Sequence, residues 1–213
     1  MKKAAIISSV VFIILLVIFC VRYYQASQEH DHYDTEVHVH SDFAIYVQDK
    51  RLDLTSDKYQ SKIESEKSDD VHLHDTNGHV IHRHADNITF ANFLQSIGFT
   101  LTSDCFTMDT GEQYCSNENS EVSLYVNNTQ VTDITSYKNQ EKDRVLLYVG
   151  SRNNPNLQNY LDSVTDEACI PSGTCPERGT PPVESCGLTC DLKVTYVDHS
   201  VKEILTYVFF GHF

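Results

Sequence analysis

Three His-x-His pairs in the first half of this chain are the residues most able to do chemistry. They comprise six histidines: His38, His40, His72, His74, His82 and His84. Side chains two residues apart on an extended strand point to the same face, about 6 to 7 Å apart at the backbone, so each pair presents two imidazoles together. Imidazole is a common ligand of zinc, copper, nickel and non-haem iron. The pairs therefore predict a transition-metal site.

Ligand chemistry narrows the choice of metal to zinc or copper(II), with nickel(II) also compatible. Copper(I) prefers methionine, and the chain has only Met1 and Met108. Six imidazoles exceed the four nitrogens that one zinc ion needs. Either two ions bind, or some histidines hydrogen-bond to the ligands of one ion. Asp75 and Asp86 lie beside the second and third pairs, and we expect these carboxylates either to bind the ion or to orient a ligand.

The N-terminus predicts the compartment in which this site operates. Residues 4–21 carry no charge and follow Lys2 and Lys3. As a helix they would cover ~27 Å, close to the ~30 Å thickness of the hydrocarbon core, and the lysines favour a cytoplasmic N-terminus. We therefore predict a single-pass membrane anchor with the rest of the chain outside the cytoplasm. A cleaved signal peptide is disfavoured, because residues 24–26 form a poor cleavage site.

Charge and cysteine count agree with an exported domain. After the predicted anchor, thirteen Lys and Arg face thirty Asp and Glu, a net charge of −17. Such a surface attracts cations and repels nucleic acid, so nucleic-acid binding is excluded. Besides Cys20 in the apolar run, the chain has six cysteines: Cys105, Cys115, Cys169, Cys175, Cys186 and Cys190. An even number in an oxidising compartment predicts up to three disulfides.

The spacing of these cysteines favours disulfides over a zinc site. Cys105 and Cys115 bracket a turn, and a bridge between them would contribute about 2 to 3 kcal/mol in the entropic model. The last four follow the pattern C-x5-C-x10-C-x3-C, which lacks the close thiol pairs of zinc ribbons. We therefore predict two disulfides among them, with all three pairings open.

Periodicity places the histidines on β segments. Alternating residues 43–47 and the return at 51–54 predict a hairpin that His38 and His40 lead into. Residues 71–75 and 80–84 predict a second hairpin around the turn signal Asn77-Gly78, and a favourable register would project four imidazoles from it. Apolar residues at helical spacing over 90–97 predict a short helix, which Thr89 or Asn87 can cap at its start and Gly98 can end. Residues 122–126 and 144–149 predict two more strands.

The predicted organisation has four parts. They are the N-terminus and anchor (1–24), an acidic, His-containing tether (25–36), a His-rich metal-binding domain (37–150), and an extension (151–213) with a helix, a Cys/Pro-rich segment and terminal strands. The element order over 37–150 resembles a β-grasp (ubiquitin-like) domain. The chain lacks the C-terminal Gly-Gly of sulfur carriers and the clustered cysteines of ferredoxins, so neither activity transfers.

The predicted fold class is therefore α+β. It consists of an N-terminal transmembrane helix, a β-grasp-like mixed sheet with one short packing helix and a His-bearing inserted hairpin, and a disulfide-rich C-terminal extension. The anchor, the strand sequences His-Leu-His-Asp-Thr-Asn-Gly and Val-Ile-His-Arg-His-Ala, and the segment Cys-Pro-Glu-Arg-Gly-x-Pro-Pro resemble a membrane-anchored, His-rich exported family of candidate-phylum bacteria. That resemblance implies an exported domain and brings no assigned activity.

Three functions are compatible with these features. The favoured one is a membrane-anchored extracytoplasmic protein that captures or delivers zinc or copper, with affinity lost as the pH drops through the imidazole pKa near ~6.5. The first alternative is a metal-dependent hydrolase or oxygenase, for which Glu64 and Glu66 are possible bases. The second is a non-catalytic surface or adhesion domain whose histidines pack or sense pH. The sequence identifies no catalytic residue and no protein partner beyond the metal ion and the membrane.

Overall fold

The structure is a computed structural model that describes residues 37–62, 65 and 67–182, together with Val17 and Phe19. Val37–Lys193 forms one compact unit, which contains every described residue except those two. The tether, the terminal strands, Cys186 and Cys190 lie outside the described residues, as does most of the predicted anchor.

The described residues form ten strands and two short helices. The strands are β1 (Val39–Val47), β2 (Lys50–Arg51), β3 (Val71–His72), β4 (Val80–Arg83), β5 (Thr100–Leu101), β6 (Cys105–Thr107), β7 (Gln113–Cys115), β8 (Ser120–Val126), β9 (Thr129–Gln130) and β10 (Arg144–Ser151). The helices are α1 (Phe90–Ser96) and α2 (Leu157–Asp162).

Seven strands form the main sheet, in the order β3-β4-β1-β10-β8-β9 with β2 paired to β1. The long strand β1 lies between β4 and β10 and pairs with them over different parts of its length. From Val39 to Asp42 it pairs antiparallel with β4, and from Asp42 to Val47 it pairs parallel with β10. β5, β6 and β7 form a separate three-stranded sheet. The first half of β1 therefore joins the histidine-bearing strands, and the second half joins the apolar ones.

Strand alternation separates two cores on the two faces of the main sheet. Phe43, Ile45 and Val47 face the larger core, which α1 covers with buried phenylalanines. Ala44 belongs to a smaller apolar cluster with Tyr148 on the opposite face, and α2 covers that cluster. Because successive side chains of a strand point to opposite faces, His40 and Asp42 lie on the same face as Ala44.

Helix α1 begins and ends at residues that match its sequence signals. The Thr89 side chain accepts a hydrogen bond from the Asn92 backbone, and the Asn92 side chain accepts one from the Thr89 backbone, which forms a capping box. Gly98 then adopts a positive φ of 93°, a conformation that glycine accepts without steric cost. The ring of Phe93 lies 5.1 Å from that of Phe43, so α1 is fixed to β1 by aromatic contact.

The predicted α+β, β-grasp-like class is wrong. The described residues form mainly a mixed sheet, and the two helices are only seven and six residues long. Helix α2 ends at Asp162, and Arg144 donates to the carbonyl groups of Val164 and Thr165 in the non-helical segment that follows. Within the described residues, no helix is long and apolar enough to cross a membrane.

The hairpin predicted from residues 71–75 and 80–84 has a longer connection than expected. β3 and β4 share only two residue pairs, so residues 73–79 form a longer connection. Asp75 and Thr76, not Gly78, take positive φ values, of 56° and 59°. Gly78 is needed for space instead, because an added Cβ would lie 2.8 Å from the backbone of Leu54 and Thr55.

Two disulfides lie within the described residues. Cys105–Cys115 joins β6 to β7, which confirms the predicted hairpin disulfide. Cys169–Cys175 closes a loop in the extension, six residues apart in sequence. This loop covers part of the sheet face that carries the histidines, through contacts described below.

Candidate metal centre

Strand pairing places three of the predicted ligands in a row across the sheet. His82 on β4 lies directly opposite His72 on β3 and directly opposite His40 on β1. Directly paired residues project from the same face of a sheet. Three imidazoles from three strands therefore meet on one face, with His82 in the middle, and all three residues are buried.

The other three histidines extend this row into a closed ring of imidazoles, which we call the six-histidine cluster. Successive ring centroids are separated by 3.9 Å (His74–His82), 4.6 Å (His82–His40), 4.6 Å (His40–His38), 4.7 Å (His38–His84), 5.0 Å (His84–His72) and 5.8 Å (His72–His74). The fold thus brings together all six histidines that the sequence singles out.

One set of three can hold a metal ion with little movement. His38, His40 and His82 each offer a nitrogen, and these nitrogens all lie within 4.8 Å of one another. Nitrogens bound to one tetrahedral zinc lie roughly 3.3 Å apart, given Zn–N bonds of about 2.0 to 2.1 Å. Small rotations of the rings would close that difference. His40 and His82 are buried while His38 is exposed, so the set, which we call the primary trio, has one side toward the surface.

Hydrogen bonds fix which nitrogen of His40 carries a proton. The Ser172 hydroxyl donates to the Ala168 carbonyl at 2.8 Å, so its oxygen accepts from His40 Nδ1, 2.9 Å away. Neutral His40 therefore carries its proton on Nδ1 and its lone pair on Nε2. Metal-binding histidines commonly make such a bond through the nitrogen that does not bind the ion.

His72 and His74 are held in the same tautomer. His72 Nδ1 lies 2.7 Å from the Ser68 carbonyl oxygen, and His74 Nδ1 lies 2.9 Å from a carboxylate oxygen of Asp75. Carbonyl and carboxylate oxygens only accept hydrogen bonds, so in both neutral rings Nδ1 donates and Nε2 has the lone pair. Three of the six imidazoles are thus set to bind a cation through Nε2.

A strained turn aims the Asp75 carboxylate at His74. Asp75 and Thr76 both lie in the left-handed region, which is a genuine outlier for a β-branched residue such as threonine. The turn is held by a bond from Asn77 N to the His74 carbonyl (3.0 Å) and by the Asn77 side chain, which accepts from the backbone of His79 and Val80. Backbone strain of this kind, about 1 to 3 kcal/mol per residue, is concentrated at functional sites.

Asp42 is a part of the site that the sequence analysis missed. Its side chain is buried on β1 and accepts hydrogen bonds from the Thr165 hydroxyl (2.6 Å), Glu167 N (2.8 Å) and Ala168 N (2.9 Å). These bonds fix residues 165–168 against the sheet and so place Ser172 over His40. The position of Asp42 between the His38/His40 pair and the alternating residues 43–47 was the available signal, whereas the Ser172 contact, 132 residues from His40, had none.

The loop over the cluster is held by its own ion pair as well as by its disulfide. Arg178 donates to the Asp166 carbonyl and carboxylate, at 2.9 Å each. The Arg178 hydrogen bond and its charge hold the pKa of the Asp166 carboxyl below its ordinary value. Both side chains are largely exposed, so solvent screens this pair.

A cleft of about 110 Å³ opens beside the cluster. Its lining combines two cluster rings with carboxylates and apolar loop residues: His74, Asp75, Asn77, His82, Glu167, Ile170, Pro171 and Pro182. Glu167 accepts a hydrogen bond from His79 Nε2 at 2.8 Å, which orients its carboxylate. Polar groups in this cleft therefore lie next to the imidazoles.

The remaining predicted site residues have different outcomes. Asp86 is exposed, and among the described residues it makes no hydrogen bond or ion pair to the six rings. No contact with these rings therefore supports the predicted role of Asp86 in orienting a ligand, whereas Asp75 contacts His74. Glu64 and Glu66, the possible catalytic bases, lie outside the described residues.

No family model, curated protein or solved structure matches this chain. The resemblance to an exported family of candidate-phylum bacteria stays a prediction. Function therefore has to be inferred from the site itself, in which imidazole nitrogens converge on one face of a sheet and a cleft opens beside them.

Proposed function

We propose that this protein binds a divalent transition-metal ion, zinc or copper, and captures or delivers it in an extracytoplasmic compartment. The observation that carries the proposal is the primary trio, in which nitrogens from two strands and the segment before β1 lie within 4.8 Å of one another. Three imidazoles are a ligand set that zinc and copper(II) both accept.

Features around the primary trio support a metal site over simple packing of histidines. Close-packed imidazoles repel one another once protonated, whereas a cation binds the neutral form of each. The Ser172 bond to His40 orients one ligand nitrogen, as partners outside a coordination shell do. The chain's formal net charge of −14 also favours cations near its surface.

Capture or delivery is supported by the access that the site offers. His38 is exposed, so the ion reaches the primary trio without unfolding of the sheet. The two disulfides, Cys105–Cys115 and Cys169–Cys175, support an oxidising compartment, where reducing systems do not break them.

Metal content and affinity of the purified full-length protein test the proposal. We expect stoichiometric zinc or copper by elemental analysis. In His38→Ala/His40→Ala, the affinity of the primary trio for the ion should fall more than about 100-fold, which exceeds the 10- to 100-fold loss that follows removal of a hydrogen-bond partner of a ligand. His199→Ala/His212→Ala is the matched control, because both histidines are isolated in the sequence and belong to no His-x-His pair. Wild-type protein that takes up no stoichiometric metal after dialysis against zinc or copper would reject the proposal.

The cleft favours a second candidate function, a metal-dependent hydrolase. An ion near His82 with an open coordination position would face the cleft, and it would lower the pKa of a bound water. Glu167, oriented by His79, would be the base. Cobalt-loaded protein provides the test, because an added anion such as azide shifts its visible spectrum when a coordination position is open to the cleft. An unchanged spectrum at saturating azide would exclude this function and leave capture or delivery.

A further inference from the structure

Half of the six-histidine cluster lies outside the primary trio. His74 is the most informative of these residues, because it is 2 % exposed and its Nε2 has no hydrogen-bond partner among the described residues. Buried polar nitrogens are nearly always paired, so this nitrogen is a candidate ligand atom. The nitrogen is the one that carries the lone pair, since Nδ1 donates to Asp75.

We propose that His72, His74 and His84 bind a second metal ion next to the first, so that the cluster is a two-ion centre. This inference rests on the proposed function, and it concerns the number of ions and the ligands of the second. The three residues come from the ends of β3 and β4, so they form a set separate in sequence from His38 and His40.

Two of the three ring pairs have a spacing compatible with a metal site. His72 lies 5.0 Å from His84 and 5.8 Å from His74, measured between centroids. Imidazoles bound to one tetrahedral zinc have centroids roughly 5 Å apart, given bonds of about 2.0 to 2.1 Å. His72 and His74 are buried, and hydrogen bonds fix the tautomer of each ring, whereas His84 is half-buried. Closing the site requires the His84 ring to rotate toward His74.

Orientation of the ligands also favours a bound ion at this position. His72 and His74 both present Nε2 lone pairs because Ser68 and Asp75 accept their Nδ1 protons. The strained turn at Asp75 and Thr76 positions the Asp75 carboxylate for its hydrogen bond with His74, since it folds the carboxylate back onto that ring. A site for one ion at the primary trio would make no use of either contact.

Carboxylates nearby offset the charge that two ions would bring. Asp75 contacts His74, Glu167 lines the cleft beside it, and Glu141 accepts a hydrogen bond from the backbone of His40 at 2.9 Å. Two divalent ions held by neutral imidazoles alone would carry four uncompensated charges. These three carboxylates reduce that charge at both ends of the cluster.

Stoichiometry tests the inference. Full-length protein titrated with zinc against a chromophoric chelator should bind two ions, and His72→Gln/His74→Gln should bind one. His38→Gln/His40→Gln should also bind one, through the second position. Glutamine keeps a polar side chain of similar length, and circular dichroism checks that both variants fold. One ion in the wild type, or two in folded His72→Gln/His74→Gln, would overturn the inference, while no bound ion at all would reject the proposed function instead.

A second measurement needs no variant. Copper(II) added at one equivalent should give the electron paramagnetic resonance signal of an isolated ion, and a second equivalent should broaden or quench that signal through coupling between neighbouring ions. Two equivalents that give a doubled, unbroadened signal would place the ions far apart and overturn the two-ion centre.

Discussion

The sheet face that carries the histidines has two ends of opposite character. At the end near Ala44 and Tyr46, α2 covers the sheet with apolar and aromatic side chains, and the rings of Tyr46 and Tyr160 stack at 4.1 Å. At the end near His40, the cover is the loop containing Ser172, which is held by hydrogen bonds. Apolar packing covers the aromatic end, whereas at the imidazole end His74 Nε2 has no hydrogen-bond partner within the part of the chain that the structure describes.

Asp42 and Arg144 divide the two ends. They are paired residues on β1 and β10, and both bind the backbone of the segment that crosses between α2 and the loop. Asp42 holds the amide groups of Glu167 and Ala168, and Arg144 holds the carbonyl groups just before them. We call Asp42 and Arg144 the clamp. The comparison indicates that the aromatic end and the clamp stabilise the fold, so that the imidazole end is available for a ligand.

The largest effect is expected at the clamp. Asp42→Asn places an amide NH2 group against backbone N–H groups that now donate to Asp42. It also removes a buried charge that accepts three hydrogen bonds. We expect a loss of about 3 to 5 kcal/mol in the free energy of unfolding, measured in urea, together with weaker metal binding. Asp49→Asn is the control, because Asp49 is an exposed acceptor of Asn154 and Tyr160. Equal losses for both variants would contradict the role of Asp42.

A substitution at the aromatic end should separate stability from metal binding. Leu161→Ala empties a buried position under α2, and we expect it to lower the free energy of unfolding by about 2 to 3 kcal/mol. Metal affinity should change by less than about twofold, because distant sites act almost independently. Leu157→Ala, half-buried on the same helix, should cost less. A large loss of metal affinity in folded Leu161→Ala would show that the two ends are not independent.

The opposite separation is expected at the imidazole end. Asp75→Asn keeps the left-handed backbone accessible but removes the charge that His74 contacts, so metal affinity should fall roughly tenfold with little change in stability. Isothermal titration with zinc measures this. Asp86→Asn is the matched control, and it should have no effect because Asp86 lacks that contact. If the two variants weaken binding equally, bulk charge and not the His74 contact is responsible.

The smallest effect concerns the loop over the histidines. The pKa of Asp166 is held low by Arg178, so the pair stabilises the protein above the unfolded-state pKa near ~3.9 and loses that stabilisation as the pH falls through the lower folded-state pKa. Arg178→Gln should therefore lower the free energy of unfolding only slightly at neutral pH, because solvent screens the exposed pair. Urea unfolding from pH 7 to pH 3 measures the difference between wild type and variant, which should shrink with acid. A difference that stays constant would contradict this ion pair as its cause.

Sequence patterns predicted local features well. The period-two spacing selected six histidines that do meet in space, the capping signals at Thr89 and Gly98 delimit α1, and the spacing of Cys105 and Cys115 predicted their disulfide. Each of these depends on residues close together in the chain. Local rules therefore identified the parts of the candidate site.

Long-range pairing was not predictable in the same way. The register that sets His40 opposite His82 joins residues 42 positions apart in the sequence. The Ser172 loop contacts His40 from 132 residues further along the chain. His74 leaves the β3 ladder because Asp75 and Thr76 adopt left-handed conformations that no residue type there demands. The fold class was wrong for a related reason, since the strand order of the main sheet and the separate β5-β6-β7 sheet depend on pairing between distant segments.

X-ray absorption at the zinc edge of the zinc-loaded, full-length protein tests the central claim most directly. Coordination by the six-histidine cluster predicts nitrogen neighbours at about 2.0 to 2.1 Å with the multiple scattering of imidazole, and no sulfur near 2.3 Å. A first shell dominated by sulfur, or one of oxygen alone as in hydrated zinc, would contradict it.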